Sequence, residues 1–250
     1  MLNIFKAFLI RRIQFFIHNF LIETIVSLLL PIIFMLIIGF VLISQSPVYK
    51  NFPDESWILL GIIFSISFAS SFLFTFSDIQ IMKKTKLLSQ INITPTSQIS
   101  FIFNYILSII PLEFLRSILI FIILHLLIGT VFNIQFYFFY SIFIILNILL
   151  SSNLGFTFGI LNFNFEKSSI LVFLFIIFIY FFSCWLIPIS FYPDPLKIFI
   201  EFFPTYILVE FLRSILFENS YSMIFLIFVL FFIIINYMLN IYLYSKNHSS

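Results

Sequence analysis

The sequence predicts an all-α integral membrane protein with six transmembrane helices. Of its 250 residues, 62% are hydrophobic and only 9% are charged, and the mean hydropathy is +1.21. Soluble domains carry about 25% charged residues, so this chain has too few polar groups to cover a surface that faces water. A membrane-spanning helix needs about 20 apolar residues, and stretches of that length recur along the sequence. We therefore expect one transmembrane domain over residues 1–250, without a separate soluble enzyme domain.

Residues 1–20 predict a helix that lies in the membrane interface. At about 100° per residue, many of their apolar side chains share one face, and Lys6, Arg11 and Arg12 lie toward the other. A basic amphipathic helix of this kind suits the surface of an anionic leaflet. The alternative is a simple cytoplasmic extension of the first span.

The next apolar run is longer than the core of a signal peptide, about 7–15 residues, and lacks a small-residue cleavage site, so we expect it to be retained. Six predicted spans follow in order. They cover residues 21–44, 56–77, 99–128, 133–161, 168–188 and 221–245. The turn at residues 129–133 is short, which predicts that the third and fourth spans are neighbours.

The distribution of lysine and arginine predicts the orientation, because basic loops are retained in the cytoplasm. One side holds eight such residues, namely Lys6, Arg11, Arg12, Lys83, Lys84, Lys86, Lys167 and Lys246. The other side holds three, namely Lys50, Lys197 and Arg213. We expect both termini and the loop at residues 78–98 to be cytoplasmic, in a chain of the cytoplasmic (inner) membrane.

Residues 189–220 predict a helical hairpin between the fifth and sixth spans. The segment combines several prolines and charges with two apolar stretches that are too short to span a bilayer. Helices of about 8–12 residues, with prolines at their starts, satisfy the backbone in such a segment. We expect the hairpin to lie outside the membrane or to dip back into the outer leaflet.

Several function classes lack the residues they require. None of the five glycines precedes a Lys-Ser or Lys-Thr pair, so the chain has no phosphate-binding loop and we expect no ATP hydrolysis by this chain alone. The three histidines stand far apart without spaced partners, which argues against a metal site. The net charge of +2 gives no electrostatic support to nucleic-acid binding. We expect no cofactor and no catalytic residue in the chain.

Glu113 and Arg116 form a candidate functional pair within the third span. They lie three residues apart, hence on one helical face, where they can neutralise each other. Ionisable groups inside a bilayer are costly unless they are paired or hydrated. The pair is either a structural ion pair or part of a hydrated translocation surface, and the sequence leaves both interpretations open.

A face of small residues in the fourth span predicts close helix packing. It consists of Ser151, Ser152, Gly155 and Gly159, and the two glycines have the Gly-x-x-x-Gly spacing. Small side chains let helix backbones approach closely. The contact is predicted either within the chain or between two copies of it.

Three stretches together resemble the type-2 permease family of ATP-binding cassette exporters. Residues 77–97 resemble the family's cytoplasmic loop after span two, which ends in a Thr-Pro-x-Ser turn at Pro95, and residues 159–169 its short inner loop between spans four and five. Residues 183–213 are similar to its outer segment, with Pro188, Pro193, Pro204 and a closing Glu210-x-x-Arg213. Cys184 stands where the family usually has glycine, and Lys86 and Ser89 replace its usual glycine and glutamate.

The resemblance implies a short amphipathic helix that couples the chain to an ATPase partner. Its charged residues are Asp78, Lys83, Lys84 and Lys86. Its apolar face consists of Ile81, Leu87, Leu88 and Ile91, and Pro95 follows at its end. Such a helix can seat in a groove of the partner. Alternatively, these lysines only enforce the topology. The prolines and the Glu-x-x-Arg pair of the outer segment are expected to form a gate, together with Glu113 and Arg116.

The implied assembly has two copies of this chain and two ATP-binding subunits, which would hold the ATP and magnesium. Its substrate would be amphipathic: a lipid-linked polysaccharide, a lipid or a hydrophobic drug. One alternative is a six-span secondary carrier or channel that uses Glu113 and Arg116 as its coupling site. Another is a membrane assembly or anchoring protein, which would not associate with an ATPase.

Overall fold

The computed structural model describes residues 2–18, 33, 37, 55–93, 97–129, 132, 134–161, 165–216 and 224–249. The predicted first span, residues 21–44, lies outside these ranges except at two single positions. Within the described ranges, every regular element is a helix. The all-helical class predicted from the sequence is therefore confirmed.

The helices follow the chain in this order: α1 (Leu2–His18), α2 (Glu55–Lys84), α3 (Leu87–Ile93), α4 (Gln98–Leu107), α5 (Ile110–Ile128), α6 (Ile134–Ile160), α7 (Phe165–Phe182), α8 (Asp194–Glu201), α9 (Pro204–Leu216) and α10 (Ile224–Ser249). Within the described residues, four helical stretches are long and apolar enough to cross a membrane: Ser56–Lys84, Gln98–Leu127, Ile134–Ile160 and Leu226–Lys246. The apolar part of α7, Ser169–Phe182, is shorter than these four stretches. The six-span layout as a whole stays a prediction.

Two predicted boundaries differ from the structure. The second span was expected to end at residue 77, but α2 continues to Lys84 because polar residues of its last turns find partners on α1, α4 and α6. The fifth span was expected to reach residue 188, but α7 ends at Phe182. Cys184 adopts a left-handed φ of 48°, which is incompatible with a continuing α-helix.

The third span bends between α4 and α5. Pro111, in the first turn of α5, has no amide hydrogen to donate to the carbonyl group of Leu107, so the α-helical ladder is interrupted there. Ser108 closes α4 by donating its backbone amide to the carbonyl oxygen of Asn104 at 3.0 Å. The bend places Glu113 in the first turn of a new helix, where it contacts α2.

The packing of α2 against α6 is the most extensive contact in the described chain. A Cβ atom on Gly155 would lie 2.5 Å from the carbonyl oxygen of Phe72, and one on Gly159 would lie 2.8 Å from the Cβ of Ile79. The predicted small-residue face of α6 thus lies against α2 of the same chain. Ser152, the other predicted packing residue, is buried and donates to the carbonyl oxygen of its own helix one turn earlier.

Hydrogen bonds join the helices that pack on α6. Asn147 of α6 donates to the hydroxyl oxygen of Ser67 on α2 at 2.6 Å. On the α10 side, Thr157 donates to the side-chain oxygen of Asn240 at 2.7 Å, and Asn240 donates to the carbonyl oxygen of Asn153 at 3.0 Å. In an apolar environment such bonds help to fix which helices associate and in which register.

The segment predicted as a hairpin contains two short helices, α8 and α9, which begin close to Pro193 and at Pro204. Most residues of α9 are buried, and the helix packs on α2, α6 and α10. Its position outside the membrane or in the outer leaflet stays a prediction.

The chain that leads from α7 toward α8 crosses α2 at Gly61. A Cβ atom on Gly61 would lie 1.7 Å from the carbonyl oxygen of Trp185 and 2.8 Å from a guanidinium nitrogen of Arg213. The carbonyl group is backbone and cannot move aside without displacing the segment. Only glycine therefore permits this approach.

We expect Gly61→Ala to destabilise the chain by about 2 kcal/mol, since overpacking of a close contact costs roughly 1–3 kcal/mol. Thermal unfolding of the detergent-solubilised protein would measure this loss. Helix propensity alone would make alanine more stable than glycine by about 1 kcal/mol, and Ala69→Gly on the same helix calibrates that effect. A gain in stability for Gly61→Ala would contradict the close contact.

Candidate functional site

Ionisable side chains from α1, α2 and α4 meet at one junction. The carboxylate of Asp78 forms an ion pair with Arg11 and also accepts a hydrogen bond from the Tyr105 hydroxyl group at 2.9 Å. Asp78 thereby ties the N-terminal helix to the end of α2 and to α4. Its carboxylate contacts lie within the chain, and its predicted role in coupling to an ATPase partner stays a prediction.

Arg12 is buried at the same junction, with 5% of its surface exposed. Its guanidinium carbon lies 4.7 Å from the ring centre of Phe74 and 4.9 Å from that of Tyr105, which are cation–π distances. Burial lowers the pKa of Arg12, while the neighbouring Tyr105 and Asp78 act in the opposite direction. The prediction that the basic residues of α1 lie on the face away from the apolar contacts is wrong for Arg12, because these aromatic rings receive its side chain.

Glu113 and Arg116 form the predicted ion pair, with 3.0 Å between Arg116 Nη1 and Glu113 Oε1. The Ser70 hydroxyl group of α2 donates to Glu113 Oε2 at 2.7 Å. Glu113 is 4% exposed, and each of its carboxylate oxygens has a partner within the chain. A role of this pair on a translocation surface stays a prediction.

Lys83 binds the carboxyl end of α6. Its ammonium group lies 3.0 Å from the carbonyl oxygens of both Ile160 and Leu161. A cation at this position satisfies carbonyl groups that lack helical partners and complements the helix dipole. The side chain of Lys83 is thus engaged within the chain, whereas Lys84 and Lys86 are exposed.

The short helix α3 presents little of the predicted apolar face. Leu88 is 6% exposed and belongs to the core around α4, while Leu87 and Ile91 are half-buried against it. Pro95 lies outside the described residues. The exposed side chains of this region are the apolar Ile81 and the polar Lys84, Thr85, Lys86 and Gln90.

Two residues have left-handed backbone conformations, which favour glycine. Within the described chain, Lys86 and Cys184 are the non-glycine residues with positive φ, at 58° and 48°. These are the two positions where the resembled permeases usually have glycine. The backbone at both positions therefore has a conformation that glycine adopts more readily than other residues.

Arg213 joins three segments in the buried part of the bundle. Its guanidinium group donates to the carbonyl oxygens of Cys184 at 3.0 Å, Trp185 at 2.7 Å and Trp57 at 3.1 Å. It also lies 3.5 Å from the centre of the Trp57 ring and 3.5 Å from the Glu210 carboxylate. Arg213 therefore connects α9 to the end of α7 and the beginning of α2.

The three prolines of the predicted gate occupy different environments. Pro188 is buried and precedes a 3₁₀ turn over Ile189–Phe191, and Pro204 is buried at the start of α9. Pro193 is exposed before α8. The prolines mark the boundaries of these elements, and their role in gating stays a prediction.

Sequence reasoning did not assign Arg12, Tyr105, Ser70 or Gly61 to a site. Ser67, Ser71 and Thr75 repeat at intervals of four in α2, which is a signal for a packed small-residue face. Gly61 is an isolated glycine within a long apolar run, which indicates a close approach of another segment. No such signal marks the burial of Arg12, because it depends on rings that are distant in sequence.

Comparison with known proteins identifies one family model that covers most of the chain. The family model described as ABC-2 type transporter matches residues 3–217. This range includes the junction of α1, α2 and α4, the Glu113–Arg116 pair and the contacts of Arg213. No curated protein matches the chain.

We expect Arg116→Met to destabilise the protein by about 3 kcal/mol, since removing one partner of a buried ion pair leaves the other charge uncompensated. The double variant Glu113→Gln/Arg116→Met should recover a large part of this loss. Unfolding of both variants in detergent would measure the coupling. Equal stability of the wild type and Arg116→Met would contradict a structural pair.

We expect Lys86→Gly to stabilise the protein by about 0.5–1 kcal/mol, because glycine relieves the left-handed strain at an exposed position. The matched control is Lys84→Gly, which places glycine at the end of α2 and should cost up to about 1 kcal/mol. Thermal unfolding of both variants tests the difference. If both glycines destabilised equally, the left-handed conformation at Lys86 would be refuted.

Proposed function

Because the chain belongs to the ABC-2 type transporter family, we propose that it is the permease subunit of an ATP-binding cassette exporter. The match over residues 3–217 is the observation that carries this proposal. The sequence contains no phosphate-binding loop, so ATP and magnesium would be held by a partner ATPase. We propose two copies of the permease and two of the ATPase, with both permease termini in the cytoplasm.

In this proposal, the partner docks at the turn between α2 and α3. The exposed Lys84, Lys86 and Gln90 supply polar contacts there. Lys83 and Leu88 would act indirectly, since Lys83 fixes the turn to α6 and Leu88 fixes α3 to the core. A displacement of α3 by the ATPase would then be passed to the whole bundle through α2 and α6.

The substrate class is proposed to be amphipathic, as in lipids, lipid-linked polysaccharides or hydrophobic drugs. A cavity of about 770 Å³ supports this class. It lies among α6, α7, α8, α9 and α10, and its lining is mainly apolar and half aromatic, with Phe175, Phe178, Phe199, Phe228 and Phe232 among its phenylalanines. Pockets of about 300–1,000 Å³ with a predominantly apolar lining accommodate drug-sized molecules.

Copurification tests the existence of the ATPase partner. We expect an adjacent reading frame to encode an ATPase with a phosphate-binding loop, and the tagged permease and this ATPase to elute together in equal amounts. The rate of ATP hydrolysis by the ATPase should change when the permease is present. A permease that transports a labelled glycolipid or a hydrophobic dye without any ATPase would contradict the proposal and favour a secondary carrier.

We expect the charge reversal Lys84→Glu/Lys86→Glu to reduce ATP-dependent export at least tenfold while it leaves thermal stability within about 1 kcal/mol, because the interactions of exposed charged side chains contribute about 0–1 kcal/mol. Transport into vesicles, with ATP hydrolysis measured in parallel, provides the readout. Lys197→Glu on α8 is the control, as it reverses a half-buried charge of the predicted opposite side, where Lys197 pairs with the exposed Asp194. Unchanged export in the double variant would rule out docking at this turn.

A further inference from the structure

A second cavity, of about 430 Å³, lies between α1 and the last turns of α2. Its lining combines arginine and other polar groups with aromatic side chains, and includes Phe8, Arg11, Arg12, Phe15, Phe74 and Asp78. It is separate from the apolar cavity among α6–α10. The proposed transport function does not explain it.

The cavity contains guanidinium nitrogens without partners. Arg12 Nε and Nη2 and Arg11 Nη1 are buried, and none of these atoms has a hydrogen-bond partner in the described chain. A buried donor that stays unsatisfied costs about 1–3 kcal/mol, and more when it is charged. Asp78 does not remove this cost for Arg12, because its carboxylate is bound by Arg11 and Tyr105.

The charge and shape of the lining favour a particular ligand chemistry. Two arginines face one carboxylate, so the ionised residues of the lining leave a net charge of +1 (2 − 1). This charge matches that of a phosphodiester, and guanidinium groups bind phosphate oxygens through paired N–H donors. Phe8, Phe15 and Phe74 offer apolar surface beside the arginines.

We propose that this cavity binds a phosphate group through the free donors of Arg12 and Arg11. The apolar side of the lining favours the headgroup of an anionic phospholipid as the source, with its acyl chains along the aromatic rings. A bound lipid would join α1 to α2 and complete the hydrogen bonding of Arg12. The site does not depend on the exporter assignment, since it requires neither an ATPase nor a transported molecule.

Lipid binding to the purified full-length protein in detergent tests the site. The probes are dioleoylphosphatidylglycerol, inorganic phosphate and dioleoylglycerol, the last of which lacks phosphate. Phosphatidylglycerol is expected to raise the melting temperature and to remain bound in native mass spectrometry, and dioleoylglycerol is not. Arg12→Gln should weaken phosphatidylglycerol binding at least tenfold. Inorganic phosphate that bound more tightly than the lipid, with the same dependence on Arg12, would support the site and identify a soluble phosphate as its source.

The matched control is Lys6→Gln, which removes an exposed charge from the same helix and should change binding less than twofold. If Arg12→Gln does not fold, Arg11→Gln provides the same test, because Arg11 is half-buried and also has a free donor in the cavity. Equal losses for the arginine variants and Lys6→Gln would overturn the site in favour of diffuse attraction. Absence of binding by any of the three probes to the folded wild-type protein would also overturn it.

Discussion

The buried guanidinium group of Arg213 imposes the central constraint on this bundle. A charged group in a low-dielectric interior must find acceptors within the protein, because desolvation is otherwise too costly. Carbonyl groups at the end of an α-helix lack intrahelical partners, and the chain just after α7 offers the carbonyl oxygens of Cys184 and Trp185. In the first turn of α2, the carbonyl oxygen of Trp57 also accepts from Arg213, since a carbonyl oxygen has two lone pairs. The glycine at position 61 then becomes necessary, because the acceptor segment passes directly over α2.

The remaining helix contacts depend on small and amide side chains more than on the abundant aromatic ones. Lipid chains are as apolar as the side chains of leucine, so apolar burial alone does not select one helix pairing over another. Accordingly, many large apolar residues, such as Phe138, Phe173 and Phe231, lie on the outer surface. The pairing of α2, α6 and α10 instead relies on serine, glycine, threonine and asparagine. A few polar positions thus determine an arrangement that the composition leaves open.

The sequence predicted the elements that depend on length and hydropathy. It did not predict the features that depend on contacts between residues distant in sequence. Long apolar runs identified the candidate spans in α2, α4–α5, α6 and α10 because about 20 apolar residues suffice to cross a bilayer. The end of α2 was misplaced, since Lys83 is held by carbonyl groups of α6 that lie 77 and 78 residues away in sequence. The Glu113–Arg116 pair was predictable from its helical spacing. The burial of Arg12 was not, as it requires α1 to pack on Phe74 and Tyr105.

The contacts of functional interest are distributed along α2. Lys83 anchors one end to α6, Asp78 and Ser70 bind α1 and α5, and Gly61 receives the segment that Arg213 holds. From Gly61 to Lys84 the helix extends about 35 Å, since each residue adds about 1.5 Å. A helix packed along this length moves as one body, because close-packed interfaces transmit displacement instead of absorbing it. In the proposed exporter, motion of α3 at one end would therefore have to be accommodated at the Arg213 contacts near the other.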